Sequence, residues 1–321
     1  MSHELDMRNG KAAMAYVGQK PWHGLGQELT AGASIDVWAK EAGMAFAIGS
    51  APVSYSVDGK KGLAFEGRNV LFRDDSNDPL GIVSDGYKVV QPREILEFFD
   101  QMATDHGFEL ETAGVLFGGK KYWALAKTPK HFSMGKDEVK AHLMLATACD
   151  GSMSTIAKYV TTRVVCQNTI QMALGEKGGV VKTRHNTSFK SRSVQEELGV
   201  FGDSWEKTQE LILGISKRAV SAQEAITYLV NLLGDPQRPI EDQQEVGNIA
   251  HVLTKFQTGN YMGSDLKSAK GTAWGLLNCV TEWQDHDRAK DQSRRLEYAW
   301  FSGGAQLKMK ALELAGELLK V

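Results

Sequence analysis

Residues 108–127 read FELETAGVLFGGKKYWALAK, and this stretch sets the fold class. Phe108 to Leu116 and Lys121 to Lys127 carry the residues of two strands, and Gly118-Gly119 between them supplies turn chemistry. Gly114 to Lys120 also has the glycine and lysine spacing of a nucleotide-binding loop. Such a loop needs a Ser or Thr next, to hold Mg²⁺, and then a helix. Here Lys121 and a strand follow. A hairpin is therefore expected at this point, and an ATPase is not.

The pattern extends on both sides. Val139 to Ala148 reads as a further strand. Toward the N-terminus, Ala45 to Ile48, Val53 to Val57 and Leu63 to Phe65 are extended, with Asp58-Gly59 as a hairpin turn. A second turn lies at Asp74 to Pro79, and Ile82-Val83 belongs to another strand. Pro92 suits the first turn of a helix on which Ile95, Leu96, Phe99 and Met102 share a face, and Gly107 ends it. From Ser193 onward the period turns helical, near 203–218, 221–233, 241–257, 268–285 and 304–320. The expected fold is α+β, a β-rich N-terminal half with one prominent helix and a helical C-terminal half. This gives an α+β domain over residues 1–192, with a basic central segment at 151–192, and a helical region over 193–321 that serves packing or self-association.

The 321 residues are 42% apolar and 8% aromatic, enough for a full core. Met1 to Gly10 is polar, and no apolar run approaches the roughly 18 residues of a membrane span, so a soluble cytoplasmic protein is expected. Cys149, Cys166 and Cys279 are odd in number and far apart, which suits a reducing compartment and neither a disulfide framework nor a structural zinc site.

Charge is unevenly distributed. Residues 151–192 hold seven Lys or Arg (Lys158, Arg163, Lys177, Lys182, Arg184, Lys190, Arg192) against Glu176 alone, within a chain of net charge −2. Such a footprint points to an anionic partner, and a nucleic-acid backbone is the leading one. Residues 180–185 alternate like a strand, which puts Lys182 and Arg184 on one face about 6.6 Å apart. Lys158 and Arg163, five positions apart, fall on opposite faces of a regular strand. Cys166, Ile170, Ala173 and Leu174 fit one helical face.

Three segments together carry a resemblance: Lys20-Pro21-Trp22-His23-Gly24-Leu25-Gly26, the run from Thr162 to Thr169, and Arg184-His185-Asn186-Thr187. With Gly271 to Asn278, Glu282 to His286 and Ala299-Trp300-Phe301, they make the chain similar to phage/plasmid-like proteins of unknown function encoded on bacterial mobile elements. That family more remotely resembles phage single-strand annealing proteins of the Redβ and RecT kind. The resemblance implies ATP-independent pairing of strands by a homo-oligomer, a ring or filament.

A single-stranded DNA site would use Lys158, Arg163, Lys182, Arg184, His185, Lys190 and Arg192, with Lys120 and Lys121 nearby. Trp22 and Tyr122 are the stacking candidates; Trp123 alternates with Leu125 and reads as core. Two other classes stay open. Glu138-Val139-Lys140 with Asp105 has the composition of a metal-dependent nuclease site, and a protein-binding or anti-defence factor would use the helical half and ignore DNA. Asp74, Asp75 and Asp78 lack the Gly and terminal Glu of a calcium loop. Cys166 lies on an apolar face and reads as a small buried hydrophobe, and His185 and His286 lack companion ligands. No metal or cofactor is expected. Trp274, Leu277 and Val280 fall on one helical face, and Trp283 and Trp300 add apolar area suited to self-association.

Overall fold

The change from strand to helix periodicity near residue 190 is carried into a mixed α+β fold, with strands mainly in the N-terminal and middle half and helices in the C-terminal half. The fold comes from a computed structural model that describes residues 5–8, 10–21, 24–163, 169–171, 180–198, 201–245, 247–288 and 295–320. In chain order the first elements are β1 (Met7–Arg8), β2 (Lys11–Ala12), β3 (Met14–Val17), β4 (Gln27–Leu29), α1 (Ile35–Glu41), β5 (Ile48–Val57), β6 (Lys60–Arg73), β7 (Pro79–Ser84) and α2 (Pro92–His106). Then come β8 (Glu109–Leu116), β9 (Lys121–Met134), β10 (Asp137–Ala148), β11 (Thr155–Arg163), β12 (Thr169–Gln171) and β13 (Val180–Thr183). The helices α3 (Ser191–Leu198), α4 (Phe201–Lys217), α5 (Ala222–Leu233), α6 (Gly247–Thr258), α7 (Ala273–Glu282), α8 (Arg295–Phe301) and α9 (Gly303–Glu317) complete the set. Strand order in the large sheet is β12-β11-β10-β9-β8-β3-β4, with β13 also on β11, and β5-β6-β7 form a separate meander.

The chain divides into two compact units. One takes residues 1–129, 142–158 and 180–199, and the other takes 130–141, 159–179 and 200–321. The division falls inside β9, β10 and β11.

In the first unit, β8 and β9 are antiparallel with Leu116 opposite Lys121. The turn between them takes positive φ at Phe117, Gly118 and Gly119 (56°, 70° and 106°). Two glycines make that path cheap, and the expected strand, turn, strand is present. Trp123 and Tyr122 point to opposite faces of β9 and are 0% and 1% exposed, so both faces are covered. Helix α2 has Pro92 in its first turn, a capping box between Gln91 and Glu94, and left-handed Gly107 at its end. Its buried residues Ile95, Leu96, Phe98, Phe99 and Met102 serve its packing on α1 and β8. Asp58 and Gly59 both have positive φ (48° and 77°), as the tight hairpin turn requires. Asp74, Asp75 and Asp78 act as turn residues: Asp74 accepts from the Ala47 amide at 2.7 Å, Asp75 pairs with Arg73, and Asp78 accepts from Ser76.

The sequence gives little warning of α1, which is too short for a periodic signal, or of β11, which is covered on both faces from Ala157 to Thr161 and so lacks alternation. Ile170 lies in β12, antiparallel to β11, rather than on the helical face that its spacing suggests. Cys166, Ala173, Leu174 and Lys177 lie outside the described residues. Helix α6 starts at Gly247, later than the expected 241, because buried Gln243 organises the turns before it. Its side chain accepts from the Asp235 amide at 2.7 Å and donates to the carbonyls of Asp235 and Arg238.

In the second unit every residue of α7 is buried, and α4, α6 and α9 pack on it. Trp274, Leu277 and Val280 are all core. After α7 the helix widens to a π-helical turn over Trp283–Asp287, closed by the Arg288 amide on the Trp283 carbonyl at 2.8 Å. There Asp285 accepts from Lys308 Nζ through both oxygens at 3.0 Å. Trp283 is 3% exposed and Trp300 half-buried, so the large apolar area expected to favour self-association is mostly enclosed within the unit.

A buried ion pair with a full set of hydrogen bonds also lies in this unit. Arg163 is 2% exposed and Asp137 0%. Nε and Nη2 of Arg163 each donate to one Asp137 oxygen at 2.8 Å. The guanidinium also donates to the carbonyls of Met262 and Gly263, and Ser268 and Trp274 donate to Asp137 Oδ2 at 2.7 and 3.1 Å. Burial raises the Asp137 carboxyl, but the hydrogen bonds and charge of Arg163, with Ser268 and Trp274, hold it below the usual carboxylate value of 3.8. A carboxyl lowered in this way adds stability above its ordinary pKa and loses it as pH falls through the lowered value. Replacing Asp137 with Ala is expected to cost roughly 3–5 kcal/mol in urea unfolding, because it strands a buried guanidinium. The wild-type protein should lose stability on acidification below about pH 4, and Asp137→Ala should lose less over that interval.

Candidate nucleic-acid interface

The cations of the central segment separate into two groups. Arg163 is held in the buried network with Asp137. Lys158 is 7% exposed, and Lys121, 8% exposed, lies 5.3 Å over the Phe117 ring. Tyr122 is enclosed, its hydroxyl donating to the Val90 carbonyl, so it has no face to offer a base. These four therefore drop out of the expected interface. Trp22 lies outside the described residues. Lys120 is half-buried and uses its carbonyl to accept from the Cys149 amide. By contrast, Lys182, Arg184, Lys190 and Arg192 are exposed, and Arg192 pairs with Glu196 along α3 at 3.2 Å.

The exposed group is placed by β13 and the turn after it. In the first unit β13 runs antiparallel to the start of β11, with Lys182 opposite Ile156 and Val180 opposite Lys158. Opposed residues share a face, so Lys182 stands on the side of Ile156 and Lys158. The chain then turns, closed by the Thr187 amide on the Arg184 carbonyl at 3.0 Å.

His185 fixes this turn rather than facing a ligand. Nδ1 lies 3.1 Å from the Lys88 carbonyl and Nε2 3.1 Å from that of Met153. Both are hydrogen bonds only when both nitrogens carry protons. The ring also stacks on Tyr87 at 4.4 Å, nearly parallel, and Tyr87 donates to the Ala148 carbonyl at 2.8 Å. Burial raises the Tyr87 phenol above its ordinary value, with further contributions from Cys149 and Asp150, so it stays a neutral donor. The Lys88 amide in turn bonds the His185 carbonyl at 2.5 Å. That contact ties the main chain of exposed Lys88 to the residue after Arg184, and Lys88 is a cation that the charge of the segment alone leaves out because it lies some hundred residues earlier. The Arg184-His185-Asn186-Thr187 motif was the available signal.

Other candidates resolve differently. Glu138 and Lys140 lie 3.7 Å apart, facing each other. Burial pushes the Cys149 and Cys279 thiols up to about 12, so neither is a thiolate at neutral pH. His286 is held below the usual imidazole value by burial. Among the described residues, no three His, Cys, Asp or Glu side chains group as a metal ion would need, and no helix is long and apolar enough to cross a membrane.

Residues 79–300 match the model of a family described as a domain of unknown function, DUF932. The match takes in more than half of the chain, from β7 into α8. The chain belongs to the DUF932 family. Its DUF932 region includes the whole exposed cation segment, Lys88 and the residues that orient it, while β5 and β6 precede it. No curated protein and no solved structure matches the chain significantly.

Because His185 holds the turn through a ring N–H donated to a carbonyl and a stack on Tyr87, His185→Ala is expected to lower the unfolding free energy by about 1–3 kcal/mol. The same change should speed proteolysis within 184–190; unchanged cleavage there would remove the latch role.

Proposed function

We propose that this DUF932 protein binds single-stranded DNA without sequence preference and without ATP, and serves strand annealing for a phage or plasmid. The observation that carries the reading is the run of exposed Lys182, Arg184 and Lys190, with exposed Lys88 joined to the same turn by its main-chain bond to His185. Cations spaced along a strand and turn offset the charge of a phosphate backbone and leave base edges free to pair. No step of this mechanism calls for nucleotide hydrolysis, a metal or a cofactor. The likeness to phage/plasmid-like proteins, and beyond them to annealing proteins of the Redβ and RecT kind, supports the annealing part. Ring or filament assembly and a cytoplasmic site of action in the bacterial host complete the proposal.

Titrating labelled single- and double-stranded oligonucleotides at several salt concentrations tests it. Lys182→Ala with Arg184→Ala should weaken binding of every sequence alike and flatten the slope of log K against log salt by about one to one and a half units. An unchanged slope removes these residues from the interface. Mg²⁺-dependent cleavage that disappears in Glu138→Gln would replace the reading with a nuclease, and no binding to either form would favour a protein partner.

A further inference from the structure

The meander β5-β6-β7 contains much more strand than its packing uses. β7 pairs with β6 only between Arg68 and Phe72, so toward the turn the ribbon has two strands alone. From Ser54 to Arg68 every residue except Leu63 is exposed. Val53 to Val57 therefore extend the ribbon by about 15 Å past the meander. A two-stranded ribbon gains little from its own cross-strand contacts.

This ribbon nevertheless carries large apolar side chains. Tyr55, Val57 and Phe65 are 49%, 49% and 52% exposed. The Tyr55 and Phe65 rings lie 6.4 Å apart on one face, nearly perpendicular to each other. Lys60 and Lys61 follow the tip on opposite sides of β6, so one of the two stands on the side of Tyr55 and Phe65, whereas Glu66 points to the other side and the Asp85 carboxylate lies near Gly67 at the base. A second copy meeting the aromatic side would bring that lysine against its own counterpart with no acid of β6 on that side to answer it. A phosphate backbone answers that charge, and unpaired bases fit half-exposed rings.

We propose that the β5–β6 ribbon is a second single-stranded nucleic-acid contact, in which Tyr55 and Phe65 stack on bases while Lys60 and Lys61 meet phosphates. It rests on the single-stranded DNA reading and adds to it a base-contacting surface.

The test is fluorescence anisotropy of a labelled oligothymidine with the full chain and three double variants: Tyr55→Ala with Phe65→Ala, Lys60→Ala with Lys61→Ala, and Lys182→Ala with Arg184→Ala. The aromatic variant should weaken binding about ten-fold or more at every salt concentration, with the salt slope kept. The tip-lysine variant should flatten the slope by about 1.4. Tyr55→Leu with Phe65→Leu, which keeps apolar area but removes the ring faces, should lose affinity as the alanine pair does, and a urea midpoint equal to wild type confirms that folding is unaltered. Wild-type affinity in the aromatic variants, with weakened binding in Lys182→Ala/Arg184→Ala, overturns the ribbon contact and leaves the DNA reading standing. No binding by the wild-type chain overturns both. Light scattering that shows a wild-type dimer becoming monomer in the aromatic variants, at unchanged affinity, overturns the ribbon contact in favour of self-association.

Discussion

Removing a guanidinium and a carboxylate from water costs several kcal/mol for each ion, and Arg163 and Asp137 recover this only by satisfying one another almost completely. Two parallel bonds join them, two backbone carbonyls take further guanidinium protons, and Ser268 and Trp274 complete the carboxylate. Each partner comes from a different part of the second unit: the start of β10, the end of β11, the 262–268 loop and the first turn of α7. The pair therefore specifies where those parts must meet. Trp274 also begins the fully buried helix on which α4, α6 and α9 pack, so the polar knot and the apolar core share a side chain.

That assignment divides the positive charge of the central segment by role. A count along the chain treats Arg163 and Arg184 alike. In the fold, one neutralises an internal acid and the other stands in solvent. What separates them is the environment that each strand supplies: β11 is covered on both sides, whereas β13 leaves Lys182 exposed and leads into an open turn. His185 shows the same division at the next position, with its ring turned inward to carbonyls and Tyr87.

Local chemistry was legible where it was strong. Asp58-Gly59, Gly118-Gly119, Pro92 with Gly107, and the apolar spacing of Ile95, Leu96, Phe99 and Met102 all mark real boundaries. Burial at the candidate site was less legible, since Tyr122 and Lys121 alternate along β9 just as they would in a half-exposed strand. Only a sheet covered on both faces shows that neither side of β9 is open. Lys88 lay hidden for another reason: its link to Arg184 passes through a main-chain bond to His185, which no pattern of spacing records.

The second unit is assembled from three separate stretches of chain, and this bears on how a ribosome must deliver it. Asp137 and Trp274 are 137 positions apart. While the intervening chain is being made, the emerged end of β10 holds a carboxylate without its indole and serine donors. At about 5–20 residues per second that interval lasts several seconds to half a minute. A nascent chain of this design therefore carries the Asp137 carboxylate without its serine and indole donors until the 262–274 region has left the exit tunnel.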